Sequence, residues 1–134
     1  MSIEYKTGRN FQAKDLTDLF LSVNWGSGQY PEKLTEAMKN YETVISAWEG
    51  RKLIGLIAVM SDEVMNAYVP YLLVRPEYQR SGIGTRLLSI VKRRYEGFAT
   101  ITIVSYEEAA AFYRKCGFRD YHGTTVLHIS ELPD

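Results

Sequence analysis

The stretch VRPEYQRSGIGTRLL, residues 74–88, combines residue types that together can hold a phosphate. Arg75-Pro76 ends an apolar, strand-like run, because Pro76 donates no hydrogen bond and holds its predecessor extended. The chain then turns through EYQRSGIG into a helical pattern. The first turn of a helix offers unpaired N–H groups and the positive end of the helix dipole. Gly82 and Gly84 let the backbone approach a ligand without Cβ atoms in the way. Strand, glycine turn and helix therefore make a phosphate cradle, with Arg80 adding positive charge beside it. The same two glycines also suit a tight strand-to-helix connection with no ligand. The loop lacks the G-x-x-x-x-G-K-[ST] spacing of a Walker loop and the three glycines of a dinucleotide fingerprint.

Few other residues could do chemistry. Cys116 is the only cysteine and cannot form an internal disulfide. His122 and His128 are too far apart to suggest a metal pair, and both read as structural. Ten tyrosines could line a pocket, but tyrosine is also an ordinary strand and edge residue.

The elements around the loop follow from periodicity. SIEYK (2–6) alternates as a first strand. In 13–25, Leu16, Leu19, Phe20 and Val23 share one helical face. GSGQY (26–30) breaks that helix, and Pro31-Glu32 opens a second over 31–40. Strands at 43–49 and 52–60 flank a Gly50-Arg51 hairpin turn. A long strand at 65–74 contains Pro70, which predicts an irregularity in its ladder. An amphipathic helix over 84–95 points Leu87, Leu88 and Val91 inward. A strand at 100–104 and a helix over 106–116, capped by Gly117, follow. TTVLHIS (124–130) reads as a last strand. Several adjacent strands precede the first strand–helix–strand crossover, so the class is α+β around one mixed sheet.

The 134 residues, 46% hydrophobic, predict a single domain over 1–134. Sixteen basic and sixteen acidic residues balance, with no basic block for nucleic acid. No apolar run approaches the ~20 residues of a bilayer crossing. The N-terminus lacks the apolar core of a signal peptide. The expectation is a cytoplasmic protein with neither nucleic acid nor membrane as partner.

Two segments together point further. LLVRPEYQRSGIGTRLL resembles the acetyl-CoA-binding motif [QR]-x-x-G-x-[GA] of the GNAT superfamily of N-acetyltransferases, with Gln79, Gly82 and Gly84 on the pattern. AAAFYRKCGF (109–118) resembles that family's downstream helix, about thirty residues further on. The resemblance implies a mixed sheet of six to seven strands, splayed between strands 4 and 5, with about four helices. It implies acetyl-CoA in the splay. The backbone at Leu72, Leu73 and Val74 would pair with the pantetheine arm, as an added strand would. The amides of Arg80, Ser81, Gly82, Ile83, Gly84 and Thr85 would hold the pyrophosphate. Tyr113 would contact the cofactor sulfur and protonate the leaving thiolate. The amine would attack the thioester directly, so Cys116 would not be a nucleophile but a small buried residue.

The base is less defined. Relatives often carry Glu or His on the fourth strand. Counting back from Val74 by twos, that face carries Leu72, Pro70 and Tyr68, with Tyr71 opposite unless a bulge intervenes. Tyr68 therefore holds the base position, through a water chain aided by Asp62 or Glu63. Where relatives often have an Asn that contacts pantetheine, this chain has Tyr106. The pattern NW…PEKL…A…N, with MNAYV and PEYQ, is similar to a subgroup containing plant plastid serotonin N-acetyltransferases and bacterial relatives. That implies a small primary amine acceptor, with Trp25 and Tyr30 available to stack on it. The alternatives are a protein N-terminus or lysine as acceptor, or a non-catalytic acetyl-CoA-binding module. Dimers are common in the family, so a homodimer is a further expectation.

Overall fold

The computed structural model describes residues 2–132. Two apolar surfaces organise the chain, one on each face of a five-stranded sheet. The strands are β1 (Glu4–Thr7), β2 (Thr43–Glu49), β3 (Lys52–Ser61), β4 (Asn66–Val74) and β5 (Thr100–Ile103). They stand side by side in chain order. The first three neighbouring pairs are antiparallel, and β4 and β5 are parallel. That last pairing requires a crossover, which the helix α3 (Ile83–Arg94) supplies.

Helices α1 (Ala13–Ser22) and α2 (Pro31–Asn40) cover one face. Leu16, Leu19 and Phe20, spaced for one side of α1, pack with Leu34 and Met38 of α2 on Leu53, Leu56, Ala58 and Leu73. Helix α3 covers the other face through Ile83, Leu87, Leu88 and Val91, on Ile45, Ile57, Val59 and Val69. Burial of these side chains, each worth about 1.5–3 kcal/mol, fixes α3 against the sheet and so fixes where its N-terminus points. Gly55 allows the close approach. A Cβ there would meet Ile83 Cγ2 at 3.2 Å and the Leu73 carbonyl at 3.3 Å. A shorter helix, α4 (Ala110–Lys115), follows β5 and ends at Gly117, which adopts φ +99°.

Two expectations change. The six to seven strands are five among the described residues. The missing strand is TTVLHIS, which is irregular and exposed throughout. Its β-branched residues favour extension, but propensity alone does not make a strand without a ladder partner. The first helix also stops at Ser22, three residues short of the periodicity's limit, because Asn24 turns with φ +60°. No helix among the described residues is long and apolar enough to cross a membrane.

Candidate active site

Pairing between β4 and β5 runs from Asn66–Thr100 to Val69–Ile103 and then stops. From Pro70 to Val74, β4 continues with β3 on one side and no strand on the other. The splay implied by the resemblance therefore lies at Pro70. The proline cannot donate to the ladder, and the β3–β4 register slips beside it, between the Ala58–Tyr71 and Met60–Tyr68 pairs. The opened wedge is a cavity of about 400 Å³. Its walls include Tyr68, Tyr71 and Leu72 from β4, Val104 and Tyr106 after β5, Tyr113 from α4, and Trp25 from the turn after α1.

The slip also resets the faces of β4. Val69 and Leu72 pack toward α3, three residues apart, whereas strict alternation would separate them. Tyr71 and Leu73 pack toward α1 and α2. Tyr68 is thus on the Tyr71 side and not on the Leu72 and Val74 side. Alternation misplaced Tyr68, whereas Tyr71 stands, as counted, opposite Leu72 and Val74. The Tyr71 hydroxyl shares a hydrogen bond with Ser27 Oγ at 3.0 Å. Its ring packs edge-on against Phe20 and Tyr41, at centroid distances of 4.9 and 6.2 Å. Trp25 lies 6.0 Å from Tyr71 and 6.5 Å from Tyr106. Tyr106, standing where an amide was expected, thus joins an aromatic wall. Tyr30 does not; it is exposed, with the Lys33 ammonium over its ring.

Beyond the open edge of β4, the chain enters the glycine loop, and this loop is braced from within. The Arg75 N–H donates to the Ile54 carbonyl, and its Nε donates to the Leu53 carbonyl at 2.7 Å. Gln79 Nε2 donates to the Val74 carbonyl at 2.9 Å. The Ser81 hydroxyl donates to the Tyr78 carbonyl, and the Tyr78 hydroxyl to Glu49. The side chains of Gln79 and Ser81 are therefore committed to holding the loop's shape. Its backbone is left unsatisfied. The first bond of α3 runs from Arg86 N–H to the Gly82 carbonyl, and no side chain caps the helix. Among the described residues, the amides of Arg80, Ser81, Gly82, Ile83, Gly84 and Thr85 have no acceptor. Arg80 and Gly82 both take left-handed conformations, φ +67° and +86°. For Arg80 this is strained, and backbone of this kind makes anion-binding concavities. Nothing lies within 4 Å of a Cβ built on Gly82.

Loop and wedge meet through α4. A Cβ on Gly84 would lie 3.4 Å from Phe112 Cζ and 3.9 Å from Val74 Cγ2. Phe112 stacks edge-on with its neighbour Tyr113, at 5.1 Å. The Tyr113 ring also packs against Phe118, and burial pushes its phenol up to about 12. It therefore keeps its proton across the physiological range and is suited to donate it. The side chains of Leu73 and Val74 are buried in the two cores, which leaves backbone as the ligand-facing part of that stretch.

The expected helpers of Tyr68 are engaged elsewhere. Asp62 accepts from the N–H groups of Val64, Met65 and Asn66, and these bonds hold its carboxyl far below the usual carboxylate range. It closes the β3–β4 turn and is a poor base. Glu63 lines a separate hollow with Arg9, Tyr41 and Met60. Cys116 is half-buried against the α3 core, and its carbonyl accepts from Lys92 Nζ. Among the described residues no group of three or more His, Cys, Asp or Glu could hold a metal.

The fold and sequence have clear counterparts. The model of the acetyltransferase (GNAT) domain family matches residues 13–127. The chain is similar to the uncharacterized N-acetyltransferase ycf52 of Pyropia yezoensis, 28% identical over 87% of this chain and 72% of that one. It is also similar to the histone acetyltransferase TAP1 of Glycine max, 30% identical over 87% of this chain but only 55% of TAP1. Among solved structures, a GNAT-family acetyltransferase from Streptococcus pneumoniae superposes with a TM-score of 0.83, at 26% identity, covering 97% of this chain and 99% of that one. Glucosamine-6-phosphate N-acetyltransferase from Arabidopsis thaliana shares the fold at 11% identity, with a TM-score of 0.71 over 97% of this chain and 100% of that one. The family model spans most of the chain, including the stretches that form the glycine loop and the wedge between β4 and β5, and the chain belongs to the GNAT family of acetyltransferases.

Proposed function

We propose that the protein uses acetyl-CoA to acetylate a small primary amine, with an arylalkylamine as the acceptor class. The observation that carries this is the run of unsatisfied amides from Arg80 to Thr85, at the open end of a sheet edge that leads to Tyr113. A diphosphate would satisfy those amides, and the unpaired edge of Leu72 to Val74 would accept an extended amide chain beside it. When bound, acetyl-CoA would supply an acetyl thioester for direct attack by the amine nitrogen, with the thiolate leaving. Tyr113 then gives its phenolic proton to that sulfur. The amine's surplus proton leaves through water near Tyr68, because the cavity lining holds neither carboxylate nor imidazole among the described residues.

The same lining bears on the acceptor. Trp25, Tyr71 and Tyr106 give flat apolar faces for a ring and π-faces for an ammonium. A second reading, a protein acceptor, is favoured by the name of one relative, a histone acetyltransferase. A basic peptide would need acidic residues along its path, and the cleft lining supplies none among the described residues.

Release of free thiol from acetyl-CoA, followed with aromatic amines, polyamines, amino acids and a basic peptide, tests this reading. Turnover is expected with arylalkylamines above the rest. Preference for the basic peptide would establish the protein acceptor. Acetyl-CoA binding with no turnover on any acceptor would make the chain a binding module.

A further inference from the structure

Arg80 opens the run of unsatisfied amides at the mouth of α3, and it stands in the left-handed region at φ +67°. Glycine adopts that conformation freely, whereas arginine does so only when its surroundings hold it there. The residues on either side are tied locally, Gln79 to the Val74 carbonyl and Ser81 to the Tyr78 carbonyl. The second tie is only as firm as Tyr78, which ends a short helical turn at Pro76–Tyr78.

Tyr78 is anchored from a different part of the chain. Its hydroxyl donates to the carboxylate of Glu49, the last residue of β2. Lys52, the first residue of β3, places its Nζ 5.4 Å from the Tyr78 ring centroid and 4.0 Å from Glu77 Oε2. Glu49 and Lys52 are cross-strand partners beside the Gly50-Arg51 turn, so their side chains leave the sheet on the same face. The β2–β3 register slips just before them, since Ala47 pairs with Gly55 and Trp48 with Leu53. The extra residue is Ile54, and such a bulge re-aims its neighbours. The Ile54 and Leu53 carbonyls accept from the Arg75 N–H and Nε. The hairpin end therefore holds the loop at two points, Arg75 and Tyr78, and neither Glu49 nor Lys52 lines the cleft.

We infer that Glu49 is a positioning residue for the anion cradle: through Tyr78 and Ser81 it keeps Arg80 left-handed, so that the amides from Arg80 to Thr85 converge on one diphosphate. This rests on the reading that coenzyme A fills the cradle. Apparent affinity is the intrinsic affinity scaled by the fraction of molecules in which the cradle is formed. With arginine at position 80, loss of the anchor lets the backbone relax, and most molecules lose the cradle. With glycine there, the left-handed form stays well populated without an anchor.

Calorimetry of the full chain with coenzyme A tests this. The samples are wild type, Tyr78→Phe, Glu49→Met and the two together, each repeated in an Arg80→Gly background. Tyr78→Phe keeps the ring beneath Lys52 and removes only the hydroxyl. Each single change should raise Kd about tenfold, and the pair should do no more than either alone. In the Arg80→Gly background the same changes should raise Kd about twofold or less. Equal losses in the two backgrounds would overturn the inference, because a merely structural pair would not depend on residue 80. Unchanged Kd in both single variants would overturn it while leaving the cradle in place. A wild type that binds no coenzyme A would remove the cradle and this inference together.

Discussion

Tyr113 is ring-packed on two sides and keeps its phenolic proton up to about pH 12 because burial disfavours the phenolate. Positioned proton transfer contributes roughly 10²–10⁴-fold to a rate. Tyr113→Phe should therefore lower kcat by about 10²-fold or more, while calorimetric affinity for acetyl-CoA stays within about twofold of wild type. Unchanged turnover would remove Tyr113 from the chemistry. Tyr68 has a separate signature. With no carboxylate or imidazole in the cavity lining among the described residues, kcat/KM should rise about tenfold per pH unit toward the amine's own pKa. Tyr68→Phe should lower that curve or displace it to higher pH, and a superimposable profile excludes Tyr68 from the proton path. The two tyrosines also mark what a sequence can carry. Tyr113 was singled out by the resemblance of AAAFYRKCGF to the family's downstream helix, and its helix was legible from the apolar spacing and the Gly117 cap. The face of Tyr68 was not, because the register slip beside Pro70 moves it to the Tyr71 side of the strand, and alternation gives no sign of where a slip falls.

At the scale of elements, the glycine loop was legible from Pro76, Gly82 and Gly84, each of which has a conformational reason to be there. Its internal bracing by Gln79 and Ser81 was not, since it depends on where the Val74 and Tyr78 carbonyls lie in space. The brace explains how a strained Arg80 persists. Gly82→Val places a β-branched residue at φ +86°, which should cost about 1–3 kcal/mol of stability and distort the amide concavity. Acetyl-CoA affinity should fall at least about tenfold, which calorimetry can read. A second element, the junction of α3 with β2, depends on Tyr95. Its hydroxyl bonds Thr43 at 2.7 Å and Glu42 at 2.6 Å, and burial with the Glu42 bond pushes it up to about 12. In the unfolded chain the phenol ionises near 10, so the native state holds its proton longer. The associated stability is complete below pH 10 and is lost as pH rises through 12. Tyr95→Phe should cost about 1–2 kcal/mol at neutral pH and make the alkaline decline shallower. Thermal melts from pH 8 to 12 would measure both.

Across the whole molecule, two cores clamp the sheet from opposite faces, and the functional parts lie where that clamping ends. The α3 core fixes the helix mouth, and the α1–α2 core fixes Trp25 and Tyr71. The sheet splays where Pro70 prevents the ladder from closing. Periodicity revealed the clamp, because apolar spacing reports which face is buried. It failed at TTVLHIS, because whether a strand forms there depends on a partner that local pattern does not specify. The central claim is that the amides at the start of α3 grip a diphosphate, and amide chemical shifts report on those groups directly. Titrating isotope-labelled protein with coenzyme A should move the ¹⁵N–¹H signals of Arg80 through Thr85 most, saturably, with smaller shifts along Leu72 to Val74. No binding, or shifts centred away from Gly82 and Gly84, would contradict the account.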